Sequence, residues 1–208
     1  MEIAGEFETH LTVRLDSSQA VAPLALWASA RGLKFTHILL DRGQTVSQPM
    51  LTRYGRGVLA EELTAATRLR TELENAGFAV SRIKVEAALG NAVVPPTNAD
   101  VSSHPPGRYF EHHVKLLLDS NLDRTALVGL AQCHRAHLSR NALRLRSDGR
   151  HERFVTQRCY AVGRSDARRD LDALLDALES GGYEILDVEE EFVVYDSNVA
   201  IDAGWIDG

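Results

Sequence analysis

The sequence predicts an α+β fold made of two tandem ferredoxin-like βαββαβ units, related by a pseudo-two-fold axis, with a polar cleft between their sheets. Two observations lead to this prediction: an internal repeat at about half the chain length, and the same order of strand and helix patterns in each half. We divide the 208 residues into a first unit at 1–93, a proline-rich linker at 94–107, and a second unit with a C-terminal tail at 108–208.

The repeat rests on short matching segments that keep their order along the chain. The matches, at offsets of 103, 104 and 105 residues, are Phe7–Val13 with Phe110–Leu116, Leu51–Thr52 with Val155–Thr156, and Gly77–Phe78 with Gly182–Tyr183. The last offset also places Glu86 opposite Glu191. Because the offset drifts by only one residue at a time, we interpret the chain as the product of a duplication.

Hydrophobic periodicity and turn residues predict the same elements in each half. Residues 7–15 alternate between apolar and polar side chains, as in a strand with one buried face, and residues 20–31 form an Ala/Leu-rich helix that ends at Gly32. The other elements predicted for the first unit are strands at 33–41 and 50–54, a helix at 59–76 and a strand at 78–87. Those predicted for the second unit are strands at 109–117, 136–145, 152–161 and 183–195, with helices at 121–134 and 165–180.

Composition excludes several classes of protein. The net charge of −6 argues against non-specific binding to nucleic acids or membrane surfaces, and no apolar run reaches the ~20 residues that span a bilayer. Two cysteines, Cys133 and Cys159, are too few for a disulfide framework. We therefore expect a cytoplasmic protein, and the strong preference for arginine over lysine indicates a GC-rich, bacterial genome. The oligomeric state is left open.

The sheet faces that should point away from the helices are unusually polar. They carry Glu8, His10, Thr12, Lys34, Thr36, Thr52, Lys84 and Glu86 in the first unit, and Glu111, His113, Lys115, His137, Ser139, Asn141, Thr156, Arg158, Glu189 and Glu191 in the second. A solvated face rarely repeats histidine, and a packed face would be aliphatic. All three lysines of the chain fall on these faces. The pattern is typical of a binding or catalytic site.

His10 and His113 occupy equivalent positions of the repeat, and three interpretations stay open. They act as general acid and base, because imidazole titrates near neutral pH. Alternatively they bind a divalent metal, with Glu8, Glu111, Glu86 or Glu191 as carboxylate ligands, in a set suited to Zn, Mn or Fe. In the third interpretation they are structural, hydrogen-bonded strand histidines.

The segment His10-Leu11-Thr12-Val13 resembles the H-x-[ST]-hydrophobic motif of the two-histidine phosphoesterase superfamily, whose members have two related lobes with one motif in each. The resemblance implies that both histidines act as acid and base on a phosphodiester, and that the hydroxyl residues steady the phosphate. In the second unit the equivalent segment is His113-Val114-Lys115, with a lysine in place of the hydroxyl. The neighbouring predicted strand carries His137-Leu138-Ser139, which fits the motif better.

The leading hypothesis is an enzyme that hydrolyses or transfers a phosphoester, or acts on another small anionic substrate, in the cleft between the repeats. Its predicted catalytic residues are His10, His113, Thr12, His137 and Ser139, and its predicted anion-binding residues are Lys34, Lys84, Lys115, Arg42, Arg140 and Arg158. The alternatives are a metal-dependent enzyme with Glu8, His10, Glu111 and His113 as ligands, and a non-catalytic module that binds a small ligand or a partner. Ion pairing of the cations with cleft glutamates remains an equal alternative to anion binding.

Overall fold

A computed structural model describes residues 3–119, 122–144 and 146–206. The predicted order of elements is present in both halves of the chain, and the fold is α+β with a tandem ferredoxin-like duplication. The first unit contains β1 (Ala4–Arg14), α1 (Val21–Ser29), β2 (Lys34–Leu40), β3 (Ser47–Val58), α2 (Leu59–Asn75) and β4 (Ala79–Ala87). A short helix, α3 (Asn98–Val101), lies in the connection. The second unit contains β5 (Tyr109–Leu118), α4 (Arg124–Cys133), β6 (Ala136–Asn141), β7 (His151–Tyr160), α5 (Arg164–Ser180) and β8 (Glu184–Asp196).

The eight strands form one closed antiparallel barrel in the order β1-β3-β2-β6-β7-β5-β8-β4. The two units join edge to edge at two places. At one, Leu40 of β2 pairs with Ser139 of β6. At the other, Lys84 of β4 pairs with Asp196 of β8. The cleft expected between two sheets is therefore the interior of a barrel, because the four edge strands satisfy their backbone hydrogen bonds with one another.

The two main apolar cores lie outside the barrel, beneath the helices. One core forms around Phe7, Leu11, Leu51 and Leu73 of the first unit. A second core forms in the other unit, where α5 buries three leucines of one face, Leu171, Leu174 and Leu178. Since strand side chains alternate in direction, burying one face against the helices points the other face into the barrel.

Both units have a β-bulge at the same position of the repeat. The pairing of β1 with β4 shifts register between Thr12 and Val13, and the pairing of β5 with β8 shifts between Lys115 and Leu116. These two bulges occupy equivalent positions of the repeat, since both lie two residues after the repeated histidine. A bulge locally increases strand twist, which helps a sheet to close into a barrel.

The chain after β8, which we call the C-terminal strap (residues 197–206), lies over the end of the barrel where β2 ends. It forms a 3₁₀ turn at Val199–Asp202, and its Trp205 and Ile206 are buried against Leu40. Gly43, with φ +114°, permits this contact, because a Cβ there would come within 3.0 Å of the Trp205 side chain. These contacts hold the strap against the body of the protein.

None of the described helices is both long and apolar enough to cross a membrane.

Candidate functional site

The barrel encloses a cavity of about 340 Å³ that is lined by side chains from all eight strands and from the strap. Of the polar faces predicted from the sequence, every residue lines this cavity except Glu86, which borders a neighbouring hollow, and His137. The predicted site residues that line it are Glu8, His10, Thr12, Lys34, Lys84, Glu111, His113, Lys115, Ser139 and Arg158.

The structure places the other three predicted site residues elsewhere. Arg42 donates a hydrogen bond to Nδ1 of His137 at 3.2 Å, and both residues border a small separate hollow beside Trp205. Arg140 alternates along β6 with Ser139 and Asn141, which line the cavity, so its side chain lies on the outer face.

Glu8, His10 and Glu86 form the first cluster. The His10 Nε2 atom lies 2.8 Å from Oε2 of Glu86 and 3.7 Å from Oε1 of Glu8. The Nδ1 atom of the same ring lies 2.9 Å from the hydroxyl of Thr52, which fixes the orientation of the imidazole. Register places these groups together, because His10 of β1 pairs with Thr52 of β3 on one side and Lys84 of β4 on the other.

Glu111, His113 and Glu191 form the second cluster, with the same arrangement. The His113 Nε2 atom lies 3.3 Å from Oε2 of Glu191 and 3.6 Å from Oε2 of Glu111. Its Nδ1 atom lies 3.0 Å from the hydroxyl of Thr156. In each cluster one nitrogen and two carboxylate oxygens lie within 4.8 Å of one another, close enough to share a metal ion. The sequence repeat therefore reproduces a complete polar arrangement.

Lys84 connects the two clusters. Its Nζ atom lies 2.6 Å from Oε1 of Glu86 and also forms an ion pair with Glu111. Burial opposes the charge of the lysine, but the two carboxylates outweigh burial and raise its pKa. In return, burial would raise the pKa of Glu86 and Glu111, and the neighbouring cations hold both values below the usual range.

The second cluster holds a proton. Burial alone would lower the pKa of His113, but hydrogen bonds and charge interactions with Glu111 and Glu191 raise it to about 10. The imidazole is therefore a cation at neutral pH. The pKa of Glu191 is raised, first by burial and then by the nearby charge of Glu86.

The end of the barrel opposite the strap is acidic. A hollow of about 560 Å³ lies where β4 ends and shares Glu8 and Glu191 with the cavity. The acidic residues that line it are Glu6, Glu8, Glu86, Glu190 and Glu191, and its one lining cation is Arg56. We call this hollow the acidic mouth.

The cavity cations predicted to bind an anion already have partners within the protein. Besides Lys84, Lys115 forms an ion pair with Glu152 at 3.1 Å, and Arg158 donates to Glu111 at 2.6 Å. Lys34 donates to the hydroxyl of Tyr54 at 3.3 Å. Lys84, Lys115 and Arg158 therefore form ion pairs within the protein, and binding of an external anion by the cavity cations stays a prediction.

Sequence reasoning missed Arg82 and Asp202, which form a buried ion pair at 2.9 Å at the strap end of the cavity. Arg82 carried a signal, because it alternates with Lys84 and Glu86 along the same strand. Asp202 carried none, since it follows the last strand of the repeat and belongs to no periodic pattern.

Comparison with known proteins gives a likeness of fold and nothing more specific. No protein-family model matches the sequence, and no curated protein matches it. Among solved structures, the chain is similar to the acetolactate synthase small subunit from Thermotoga maritima, with 12% identity over 92% of this chain and 95% of that chain, and a TM-score of 0.29. It is also similar to chlorite dismutase from Candidatus Nitrospira defluvii, in complex with imidazole, with 13% identity over 91% of each chain and a TM-score of 0.32. Scores at this level carry no conclusion about activity.

The resemblance to the two-histidine phosphoesterase superfamily is wrong. The similar structures are of other kinds, namely acetolactate synthase small subunit and chlorite dismutase. His137, the better match in the second unit, lies outside the main cavity. A four-residue motif is too short to distinguish such cases.

Proposed function

We propose that the protein binds divalent cations at its two Glu–His–Glu clusters, and that the bound cations polarise or activate a small ligand in the barrel cavity. One observation supports this most strongly. The same three ligand types, with the same supporting threonine hydroxyl, occur at equivalent positions of both repeats.

The chemistry of the ligands favours borderline metals. One imidazole nitrogen with two carboxylate oxygens is a donor set suited to Zn²⁺, Mn²⁺ or Fe²⁺. The hydrogen bond from each ring to Thr52 or Thr156 is the kind of contact that orients a histidine ligand. When bound, such a metal polarises a ligand or activates a water molecule.

The surroundings favour a cation over an anion. The acidic mouth presents five carboxylates against one arginine, so its field attracts positive ions toward the clusters. Acid–base catalysis by a histidine pair is less well supported, because a pKa of about 10 keeps His113 protonated at neutral pH. It therefore cannot act as the base, and it is a weak acid because its pKa lies far above the operating pH.

The two clusters should differ in affinity. Lys84 pairs with one carboxylate of each cluster, Glu86 and Glu111. Arg158 holds Glu111 in addition, whereas Glu8 of the first cluster forms an ion pair only with His10 among the described residues. A metal entering the second cluster must displace those cations and the His113 proton. We therefore expect the first cluster to bind metal more tightly.

Glu8 supplies the test, because Glu6 lies two residues earlier on the same strand and provides a matched control at the acidic mouth. The chelator-treated protein is titrated with Zn²⁺ and with Mn²⁺ by calorimetry. We expect at least one tight event, weakened more than about 10-fold in Glu8→Gln, since a metal ligand is lost. In Glu6→Gln the affinity should change less than about 2-fold, because only the long-range field is altered. Absence of binding by both metals, or equal effects of the two substitutions, contradicts the proposal.

A further inference from the structure

The strap places a carboxylate inside the barrel. Asp202 is only 1% exposed, and its Oδ2 atom accepts hydrogen bonds from Arg82 at 2.9 Å and from Arg158 at 2.7 Å. Its Oδ1 atom accepts one from the Gln48 amide at 2.8 Å. One nitrogen from each of two guanidinium groups and one amide thus donate to the same carboxylate, and charge-assisted hydrogen bonds of this kind hold a carboxylate strongly. The other donors of Arg82 hold Asp196, at the end of β8.

The donors and the acceptor come from different parts of the fold. Gln48, Arg82 and Arg158 belong to β3, β4 and β7, which are rigid strands of the barrel drawn from both units. Asp202 belongs to a 3₁₀ turn in the strap, outside the repeated strands. The site is therefore built by the barrel, and the carboxylate is added by a terminal segment.

The subsite has one more hydrogen-bond donor than Asp202 uses. Nη1 of Arg158 is buried and has no hydrogen-bond partner among residues 3–119, 122–144 and 146–206, although the side chain is only 2% exposed. Buried guanidinium nitrogens are normally paired, so Nη1 of Arg158 is a hydrogen-bond donor that Asp202 leaves unused.

We propose that Gln48, Arg82 and Arg158 form a binding subsite for the carboxylate of a small ligand, and that Asp202 fills this subsite in cis until a ligand replaces it. None of its three donors is a metal ligand in either cluster, but Arg158 also holds Glu111 of the second cluster, so carboxylate binding is measured on chelator-treated protein.

The attachment of the strap is compatible with its displacement. Two of its buried apolar residues, Trp205 and Ile206, form a small cluster with Leu40 that is separate from both main cores. Trp205 Nε1 donates to the carbonyl of Leu138 at 2.9 Å, and Gln44 N–H donates to the carbonyl of Ala203 at 3.0 Å. Releasing these contacts leaves the two main cores intact, so the segment can open locally.

The position of the subsite limits its ligand. Nε of Arg158 donates to Glu111 of the second cluster at 2.6 Å, so the bound carboxylate lies next to that cluster. The cavity volume of about 340 Å³ restricts the ligand to a small molecule.

Chemical rescue tests the subsite. Asp202→Ala removes the internal carboxylate, and the thermal midpoint is measured in acetate, in acetamide and in sodium chloride at matched ionic strength. We expect acetate at about 100 mM to raise the midpoint of Asp202→Ala by roughly 5 °C, with acetamide and chloride nearly inactive. Asp187→Ala is the control, because Asp187 lines the same cavity but forms no ion pair with an arginine among the described residues, so acetate should not rescue it. Equal effects of acetate and acetamide, or equal rescue of the two variants, overturn the proposal.

A second measurement uses the unaltered chain and applies even when Asp202→Ala does not fold. Hydrogen exchange of residues 199–206 is followed in acetate and in acetamide. We expect faster exchange of this segment in acetate alone, because the external carboxylate competes with Asp202. Exchange that does not respond to acetate contradicts displacement of the strap.

Discussion

At the scale of single residues, the two clusters share their ligands but differ in the charges around them. Lys84 contacts Glu86 and Glu111, whereas the equivalent position of the second unit is Glu189. Arg158 holds Glu111, whereas its equivalent in the first unit is Tyr54. The duplicated ligands therefore have different electrostatic surroundings, and this difference underlies the expected difference in metal affinity.

The pKa of His113 predicts a pH dependence of stability. Its value is raised from 6.5 to about 10 in the folded protein, so the folded state holds the proton more tightly than the unfolded state. The resulting stabilisation is fully present below pH 6.5 and is lost as the pH rises through about 10. In chelator-treated protein, denaturant titrations between pH 6 and 10 should show this decline, and His113→Gln should make it shallower.

The exposed His151 provides the control for this experiment. His151→Gln should leave the decline between pH 6 and 10 unchanged. If the free energy of unfolding of His113→Gln falls with pH as steeply as that of the unaltered protein, the raised pKa of His113 is contradicted.

Alternation along strands located most of the site residues, because a residue's face follows from the position of its neighbours. Glu8, His10, Glu111 and His113 were found in this way, and all line the cavity. Sequence spacing gave no distances, so it left open whether Lys84 binds an external anion or the carboxylates beside it. Those ion pairs depend on strand register between the two units, which the sequence does not encode locally.

At the scale of elements, the limits of β3 show why local signals fail. The sequence predicted a strand at 50–54, whereas β3 runs from Ser47 to Val58 and includes Gly55 and Gly57. Gly55 weakens a strand in isolation, but here its missing side chain makes room for a neighbour. A Cβ at Gly55 would lie 2.2 Å from the carboxylate of Glu62 in α2. Gly55 is therefore needed inside β3 for its contact with Glu62 of α2, although glycine in a sequence usually indicates the end of a strand.

The connection between the units is clamped to the start of α5. The N–H of Gly163 donates to Oδ1 of Asn98 at 2.6 Å, and the N–H of Arg164 donates to the carbonyl of Pro95 at 2.8 Å. A Cβ at Gly163 would lie 2.2 Å from the backbone of Thr97. The proline-rich segment thus packs closely against the second unit at this point.

This close approach predicts that Gly163→Ala lowers the free energy of unfolding by about 1–3 kcal/mol, because the backbone at Thr97 must move. Gly129→Ala in α4 is the matched control, since a Cβ there meets no atom within 4 Å. It should instead stabilise the protein by about 0.5–1 kcal/mol, through the better helix propensity of alanine. Urea denaturation measures both changes, and a loss in Gly129→Ala equal to that in Gly163→Ala contradicts the clamp.

At the scale of the whole molecule, the two units share interactions that neither can satisfy alone. Lys84 of the first unit is buried against Glu111 of the second, and Arg82 of the first is buried against Asp202 of the strap. A buried charge without its partner is strongly destabilising, so either unit by itself would retain unpaired charges. The sequence predicted two units with a shared cleft. It did not predict closure of the barrel, because backbone hydrogen bonds between edge strands leave no side-chain pattern.

We therefore expect the two units to unfold in one transition. In Trp205→Phe, the fluorescence of the remaining Trp27 reports on the first core. In a second variant both native tryptophans are replaced by phenylalanine, and Tyr183→Trp reports on the second core. In each variant, the urea midpoint measured by tryptophan fluorescence should equal the midpoint measured by circular dichroism. Two transitions visible within either variant would show that the units unfold separately.

The edge-to-edge closure of the barrel has a consequence for its origin. A chain with only one βαββαβ unit could close the same barrel by pairing with a second copy of itself across a two-fold axis. The Glu–His–Glu clusters of such a homodimer would be identical by symmetry, and any mutation would alter both at once. Fusion into one chain removes that constraint. It allows one position of the repeat to be Lys84 in the first unit and Glu189 in the second, and it allows the segment after β8 to differ from its counterpart after β4.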